Sequence, residues 1–200
     1  MGNFVSRAGE KLAFALSTFK IDVSGLTAAD FGSSTGGFVD CLLQNGVKKV
    51  YAVEVGYGTL DWKLRNNQRV VVMERTNAMH VTLPEKMDFI TIDVGWTRQK
   101  LILPNVFANL KKGGTAISLL KPHYEADRKY LRGGKLADEF VDEVLESVKS
   151  DIEAVGGKAI DVVESPILGE KGKNREFLAR ILNQLRNTYY ITEYRSTDRF

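Results

Sequence analysis

Residues 27–37 read Thr-Ala-Ala-Asp-Phe-Gly-Ser-Ser-Thr-Gly-Gly, and the chain continues as FVDCLLQNG. The run TAADF is short and apolar enough for a buried strand. GSSTGG is a turn, and the apolar positions 38, 39, 42 and 43 then recur at helical spacing. Strand, glycine turn and helix open a βα unit, and the same alternation continues in both directions. Before it, 6–19 reads as a helix, with Ser6 as its cap and Leu12, Phe14, Leu16 and Phe19 as apolar positions. After it come a strand at 49–55, a helix at 59–66 and a strand at 69–73. Next are a strand at 88–93, a helix at 98–110 and a strand at 115–120 opened by Gly113–Gly114. A loop fills 121–136. A helix over 137–155 carries Val141, Val144, Leu145, Val148 and Ile152 on one face, and strands follow at 158–164 and within 175–183. Short strands alternating with helices predict an α/β fold with a mostly parallel sheet, helices on both faces.

Composition bounds what such a fold can be. Two hundred residues, 44% hydrophobic and 26% charged, with no repeat or linker-like shift, point to a single domain over 1–200. Within it, 1–20 forms an N-terminal helix region, and 184–200 is a polar, aromatic tail without an assigned element. One cysteine excludes an internal disulfide framework, and one cysteine with two histidines argues against a zinc site. No apolar stretch reaches the roughly 18 residues of a membrane span, and the N-terminus has no apolar signal core. The expectation is a soluble, cytoplasmic protein. The balance of 28 Lys+Arg against 25 Asp+Glu is too even to announce a nucleic-acid partner, so only local clusters can do so.

The glycine turn carries the first functional signal. Glycines let backbone and ligand approach closely, and N–H groups at a helix start are expected to point outward. Glu54, 22 residues after Gly32, stands where an acidic residue takes a ribose hydroxyl. The spacing is G-x-x-x-G-G rather than the G-x-G-x-x-G of dinucleotide binders. Asp30 just before the turn would repel a phosphate. It would suit an ammonium, as in the amino-acid moiety of S-adenosylmethionine (SAM). The expected cofactor contacts are Asp30, Gly32, Ser33, Ser34, Thr35, Gly36, Gly37 and Glu54, with Asn77 at the adenine edge. A local turn or cap is the competing role for Asn77.

Asp93 and Lys121 end two strands and so lie at the carboxyl edge of the sheet, where open α/β sheets bind ligands. Lys11 in SRAGEK and Glu176 in KNREF are not joined to them by spacing, and a plain surface charge is the alternative for each. Six segments, in order, resemble the TlyA-type (hemolysin A-like) ribosomal RNA methyltransferases within the FtsJ-like 2′-O-ribose methyltransferases. They are SRAGEKL, DFGSSTGGFVDCLLQNGVKKVYAVEVGYGTLDWKLR, ERTNA, IDV, LLKPHYEA and SPILGEKGKNREFL, and they span about residues 5–182. The resemblance implies a SAM-dependent, Rossmann-like, seven-stranded sheet whose seventh strand is antiparallel. It also implies a catalytic Lys, Asp, Lys, Glu set, which falls on Lys11, Asp93, Lys121 and Glu176, with Asp93 also near the cofactor. The chain departs from the family at Gly95-Trp96, where Ser-Phe is usual, and at His123-Tyr124, where Gln-Phe is usual. It also starts five residues before the SRAG segment, whereas family members usually carry a small RNA-binding module there. The expectation is either a fragment or a protein without that module.

The implied reaction is transfer of the SAM methyl group to a ribose 2′-oxygen of ribosomal RNA. Lys121 would act as base or orient the hydroxyl if burial and a second cation favour its neutral form, and Asp93 would position it. The expected partners are ribosomal RNA or ribosomal subunits, with contacts from Tyr124, Arg128, Lys129, Arg132, Lys135 and Lys173. Tyr130, Lys171 and Arg175 complete two local basic stretches. The competing readings are a SAM-dependent methyltransferase of a small molecule, and a non-catalytic SAM-binding, RNA-binding or hemolysin-like protein. Cys41 and Trp62 are read as core residues, with a place near the cofactor as the alternative for Trp62, and His80 as a loop or capping residue. His123 lies near the site, with a role toward RNA as one alternative.

Overall fold

The computed structural model describes residues 3–169 and 173–184. The rest of the tail, 185–200, and Lys171 lie outside the described residues. Seven strands form one sheet: β1 (Thr27–Phe31), β2 (Lys49–Val53), β3 (Val70–Met73), β4 (Met87–Ile92), β5 (Leu110–Leu120), β8 (Gly157–Glu164) and β9 (Phe177–Asn183). Two short strands, β6 (Leu131–Arg132) and β7 (Lys135–Leu136), pair as a separate hairpin. The sheet order is β3-β2-β1-β4-β5-β9-β8. Pairs from β3 through β5 are parallel, and β9 runs antiparallel to both β5 and β8. The sheet therefore is the seven-stranded, mostly parallel one expected, with a single reversed strand.

Helices cover both faces because the strands are apolar on both. β1 is buried along its whole length. Ala29 and Phe31 face one layer and Ala28 the other, as the period of two requires. One layer receives α4 (Gln99–Asn109) and α6 (Val141–Ala154) through Ile102, Leu103, Val106, Val144, Val148 and Ile152. The other receives α1 (Ala8–Thr18), α2 (Gly37–Gln44) and α3 (Trp62–Arg65) through Leu12, Leu16, Phe38, Leu42 and Leu64. Cys41 is buried among these, the core role read from sequence. No helix among the described residues is long and apolar enough to cross a membrane.

Several expected boundaries move for identifiable reasons. β2 stops at Val53 because Glu54 turns its carboxylate back onto the glycine turn and onto Gly56. The expected helix at 59–66 shrinks to α3, capped by Asp61, whose carboxylate accepts from the Lys63 N–H at 2.8 Å. Trp62 opens this one-turn helix and is 74% exposed, so it is not core. Gly113 sits at φ +79° inside β5 rather than before it, where a register shift against β4 absorbs the extra backbone. The loop 121–136 contains a one-turn helix, α5 (Pro122–Glu125), a 3₁₀ turn at Arg128–Tyr130 and the β6–β7 hairpin. The helix expected from 137 begins as a 3₁₀ turn at Asp138–Phe140 before α6. Ser6 does not cap α1. Its hydroxyl packs against Gly37 instead, and Arg7 takes the capping position without a side-chain hydrogen bond.

Candidate active site

The carboxyl ends of β1, β4 and β5 bring the candidate residues together. Asp30 lies on β1, Asp93 follows β4, and Lys121 follows β5. Glu176 comes from a strand start, but β9 is reversed, so its beginning lies at the same edge: Leu120 pairs with Phe177. Lys121 and Glu176 therefore flank neighbouring strand ends although 55 residues separate them in sequence.

Lys11 arrives from α1. Gly9 and Gly37 allow α1 to cross the start of α2 closely. A Cβ on Gly37 would lie 2.8 Å from the Gly9 nitrogen, and one on Gly9 would lie 2.8 Å from the Gly37 carbonyl oxygen. The Val5 N–H donates to Asp40 Oδ2 at 2.8 Å and fixes the segment leading into α1. Docked this way, Lys11 is almost fully buried and its ammonium donates to Glu176 Oε2. Lys121 Nζ forms an ion pair with Asp93 Oδ1 at 2.7 Å and also donates to the Val94 carbonyl at 3.1 Å. The four residues thus form two ion pairs, and all four border one cavity of about 690 Å³. Asp30, the Gly32–Thr35 turn, Trp96, His123 and Tyr124 line the same cavity.

A second cavity of about 340 Å³ continues from it along the glycine turn. The two share Gly32, Ser34, Asp93, Gly95 and Trp96, so they are halves of one cleft. Glu54 and Asn77 stand in the second half beside Val55, Met79 and Ile102. Glu54 is held by two backbone donors, Ser34 N–H at 2.9 Å and Gly56 N–H at 2.8 Å. Asn77 Oδ1 accepts from the Met79 N–H at 2.9 Å, a local turn contact, and the residue lines the cavity.

The glycine turn differs from the expectation in one respect. Four of its N–H groups bond within the protein rather than pointing outward. Gly32 and Ser33 both donate to the Val53 carbonyl, at 2.9 and 3.1 Å, Gly36 donates to the Ser33 carbonyl at 2.7 Å, and Ser34 donates to Glu54. Gly32 and Gly36 are required by backbone geometry, with φ of +89° and +101°. A Cβ on Gly32 would stand 2.5 Å from the Asp93 carbonyl oxygen, so the turn lies directly against the end of β4. Ser33 is buried in this turn, and the Thr35 carbonyl accepts from the Asp61 N–H at 3.0 Å.

Asp30 is buried and accepts from the Thr91 hydroxyl at 2.7 Å through Oδ1, while Oδ2 has no protein partner. Burial, then the charges of Asp93 and Glu54, push its carboxyl up to about 7, against the lowering effect of the Thr91 hydrogen bond. A cationic ligand beside Asp30 would supply the missing partner. The residues therefore suit SAM: an unpartnered carboxylate oxygen for an ammonium, Glu54 for a ribose diol, and an apolar pocket ending in Asn77 for a base. No phosphate site is needed for such a ligand.

The basic stretches also meet. Asn174 is buried and ties the β6–β7 hairpin to the segment before β9. Its Oδ1 accepts from the Leu136 N–H at 3.0 Å, and its Nδ2 donates to the Gly134 carbonyl at 3.1 Å. Lys173 consequently sits beside a hairpin that carries Arg132 and Lys135. With Arg128 and Lys129, these cations are exposed, and among the described residues only Lys129 has an ion pair, a long one of 3.8 Å to Asp127. Tyr124 lines the cavity. Two other residues of these stretches are used locally: Tyr130 stacks on Phe140 and donates to Glu143, and Arg175 grips Glu164 with two bonds. Sequence reasoning missed Arg7, which lines the cavity, and Thr91, which holds Asp30. Thr91 is legible only after β1 and β4 are paired in register, Asp30 opposite Thr91.

The FtsJ-like methyltransferase family model matches residues 4–181. Among curated proteins, the chain is 44% identical over 187 residues to a Bacillus subtilis protein, YqxC, that carries an rRNA methyltransferase name. That match covers 89% of this chain and 65% of YqxC, so the chain spans about two thirds of that relative. It is 35% identical over 181 residues to the 16S/23S rRNA (cytidine-2′-O)-methyltransferase TlyA of Mycobacterium tuberculosis, covering 88% of this chain and 67% of that protein. A solved Lactococcus lactis structure with a hemolysin name superposes with a TM-score of 0.86 at 39% identity, covering 92% of this chain and 90% of the other.

Proposed function

Because the chain belongs to the FtsJ-like methyltransferase family, we propose that it transfers a methyl group from SAM to a ribose 2′-hydroxyl of ribosomal RNA. What supports this reading above all is the meeting of two ion pairs, Lys11–Glu176 and Lys121–Asp93, on one cavity that opens into a cofactor-shaped groove. The described residues act as one catalytic domain.

When bound, SAM supplies an electrophilic methyl carbon on a sulfonium. The side chains do the rest. Asp30 accepts from the cofactor's ammonium, Glu54 takes its ribose hydroxyls, and Asn77 meets its base. In its neutral form Lys121 orients the attacking hydroxyl and takes its proton, while Asp93 holds Lys121 and stabilises the ammonium formed. Lys11 and Glu176 anchor each other at the neighbouring strand end and position the ribose. Alignment of two reactants in such a cleft is worth roughly 7–11 kcal/mol, so positioning carries much of the acceleration. The exposed cations of the 128–135 segment and Lys173 contact phosphates, and this rim suits a polymeric substrate better than a small molecule.

The test is incubation of the purified protein with labelled SAM and isolated small and large ribosomal subunits, followed by mapping of the modified nucleotide. Label is expected at a defined position in at least one subunit. SAM binding without label in either subunit would overturn the proposal.

A further inference from the structure

His123 is the one buried titratable side chain of the cavity that the proposed mechanism leaves without a task. It occupies the first turn of α5, two residues beyond Lys121, and only 8% of it is exposed. It lines the same cavity as Lys11, Asp93, Lys121 and Glu176. Its ring packs on Tyr124, with centroids 4.1 Å apart at 46°, which fixes the plane of the imidazole. Its Nδ1 is buried and has no hydrogen-bond partner in the protein. Leaving a buried nitrogen unpaired is unfavourable, and a partner that arrives with the substrate would satisfy it.

We propose that His123 hydrogen-bonds the target nucleotide and is a substrate-positioning residue of the transfer. This rests on the reading of the cleft as a site of RNA methyl transfer. The chemistry of the ring narrows the partner. Burial first, and then the positive charge of Lys121, push the imidazole down to about 4. At neutral pH the ring is uncharged, with one donor and one acceptor nitrogen. A neutral imidazole fits a neutral polar group, a ribose hydroxyl or a base edge, whereas a phosphate would call for a cation.

Two variants and one comparison substrate test this. His123→Phe keeps a ring against Tyr124 and removes both nitrogens. His123→Gln keeps a donor and an acceptor. In steady-state assays on the RNA labelled by the wild type, His123→Phe should raise KM for RNA at least tenfold. Its kcat should stay within about threefold, and SAM affinity by calorimetry should be unchanged. His123→Gln should recover most of the KM. Repeating the pair on RNA with an abasic target nucleotide separates the sources: the penalty vanishes if the partner is the base and persists if it is the ribose. A wild-type KM in His123→Phe would overturn the proposal, as would equal losses in both variants accompanied by a lower Tm. Failure of the wild type to methylate any ribosomal RNA would instead overturn the functional reading beneath it.

Discussion

The two halves of the cleft are built in opposite ways. The cofactor half is built around one contiguous segment: Asp30 and the turn from Gly32 to Gly37 lie within eight residues, and three of the turn's amides bond inward to Val53 and Glu54. Its shape is backbone, set by positive φ at Gly32 and Gly36. The substrate half is assembled from four distant segments and consists of side chains: Lys11 from α1, Asp93 after β4, Lys121 after β5 and Glu176 before β9. One half depends on a turn that only glycines allow, the other on sheet topology that delivers charges to one edge. Damage to the first should therefore fall on cofactor binding and stability, and damage to the second on the chemical step.

The largest expected effect comes from the substrate half. Lys121→Ala should lower the transfer rate about 10³-fold, within the range for loss of a general base or orienting group, and leave SAM affinity within about threefold. A labelled-methyl assay beside calorimetry checks it, and a parallel loss of SAM binding would erase the division between halves. Next is the cofactor half. Gly32→Ala places a Cβ against the Asp93 carbonyl at a φ that L-residues rarely adopt. Strain of about 1–3 kcal/mol should lower Tm and weaken SAM binding by roughly ten- to hundredfold. Turnover at saturating SAM should fall much less.

The rim sharpens the comparison further. Reversing Arg128, Lys129 and Arg132 to Glu together should weaken RNA binding about tenfold. It should also flatten the salt dependence of log K by up to about 2–3, since each lost phosphate contact removes about 0.7–0.9 from the slope. An unchanged slope in a filter-binding titration would remove this segment from the interface.

The smallest effect is on stability against pH, and here the halves carry opposite signs. Asp30 is raised to about 7 in the folded protein, so between about 4 and 7 the folded state holds a proton that the unfolded chain has lost. Its contribution to stability falls as pH rises through that window. His123 is lowered to about 4 from 6.5, so between those values the unfolded chain holds the extra proton and stability rises with pH. The two slopes offset each other in the wild type. Asp30→Asn should expose a Tm that rises from pH 4.5 to 6.5, and His123→Gln a Tm that falls. Thermal melts across this range check both signs.

The same contrast decided what could be read from sequence. The turn was legible because strand, glycines and helix are contiguous and each residue type has a local reason. The Lys–Asp–Lys–Glu set was not legible from spacing. Lys11 and Glu176 are 165 residues apart and meet only because β9 is reversed and α1 docks through Gly9 and Gly37. Resemblance to a family pointed to these positions where periodicity could not. Trp62 was misread because LDWKL has a helical pattern, yet α3 is a single turn and the ring lies outside it. Gly113–Gly114 looked like a boundary because a glycine pair marks a turn and an internal bulge equally well.

The central claim is that this cleft methylates a ribose oxygen rather than a base. The most direct measurement transfers a tritiated methyl group to ribosomal RNA and then hydrolyses the product in alkali. A 2′-O-methyl group removes the hydroxyl that alkali needs to cleave the adjacent phosphodiester. The account predicts tritium in alkali-stable dinucleotides, abolished by Lys121→Ala. Tritium in mononucleotides, or undiminished labelling by the Lys121 variant, would contradict it.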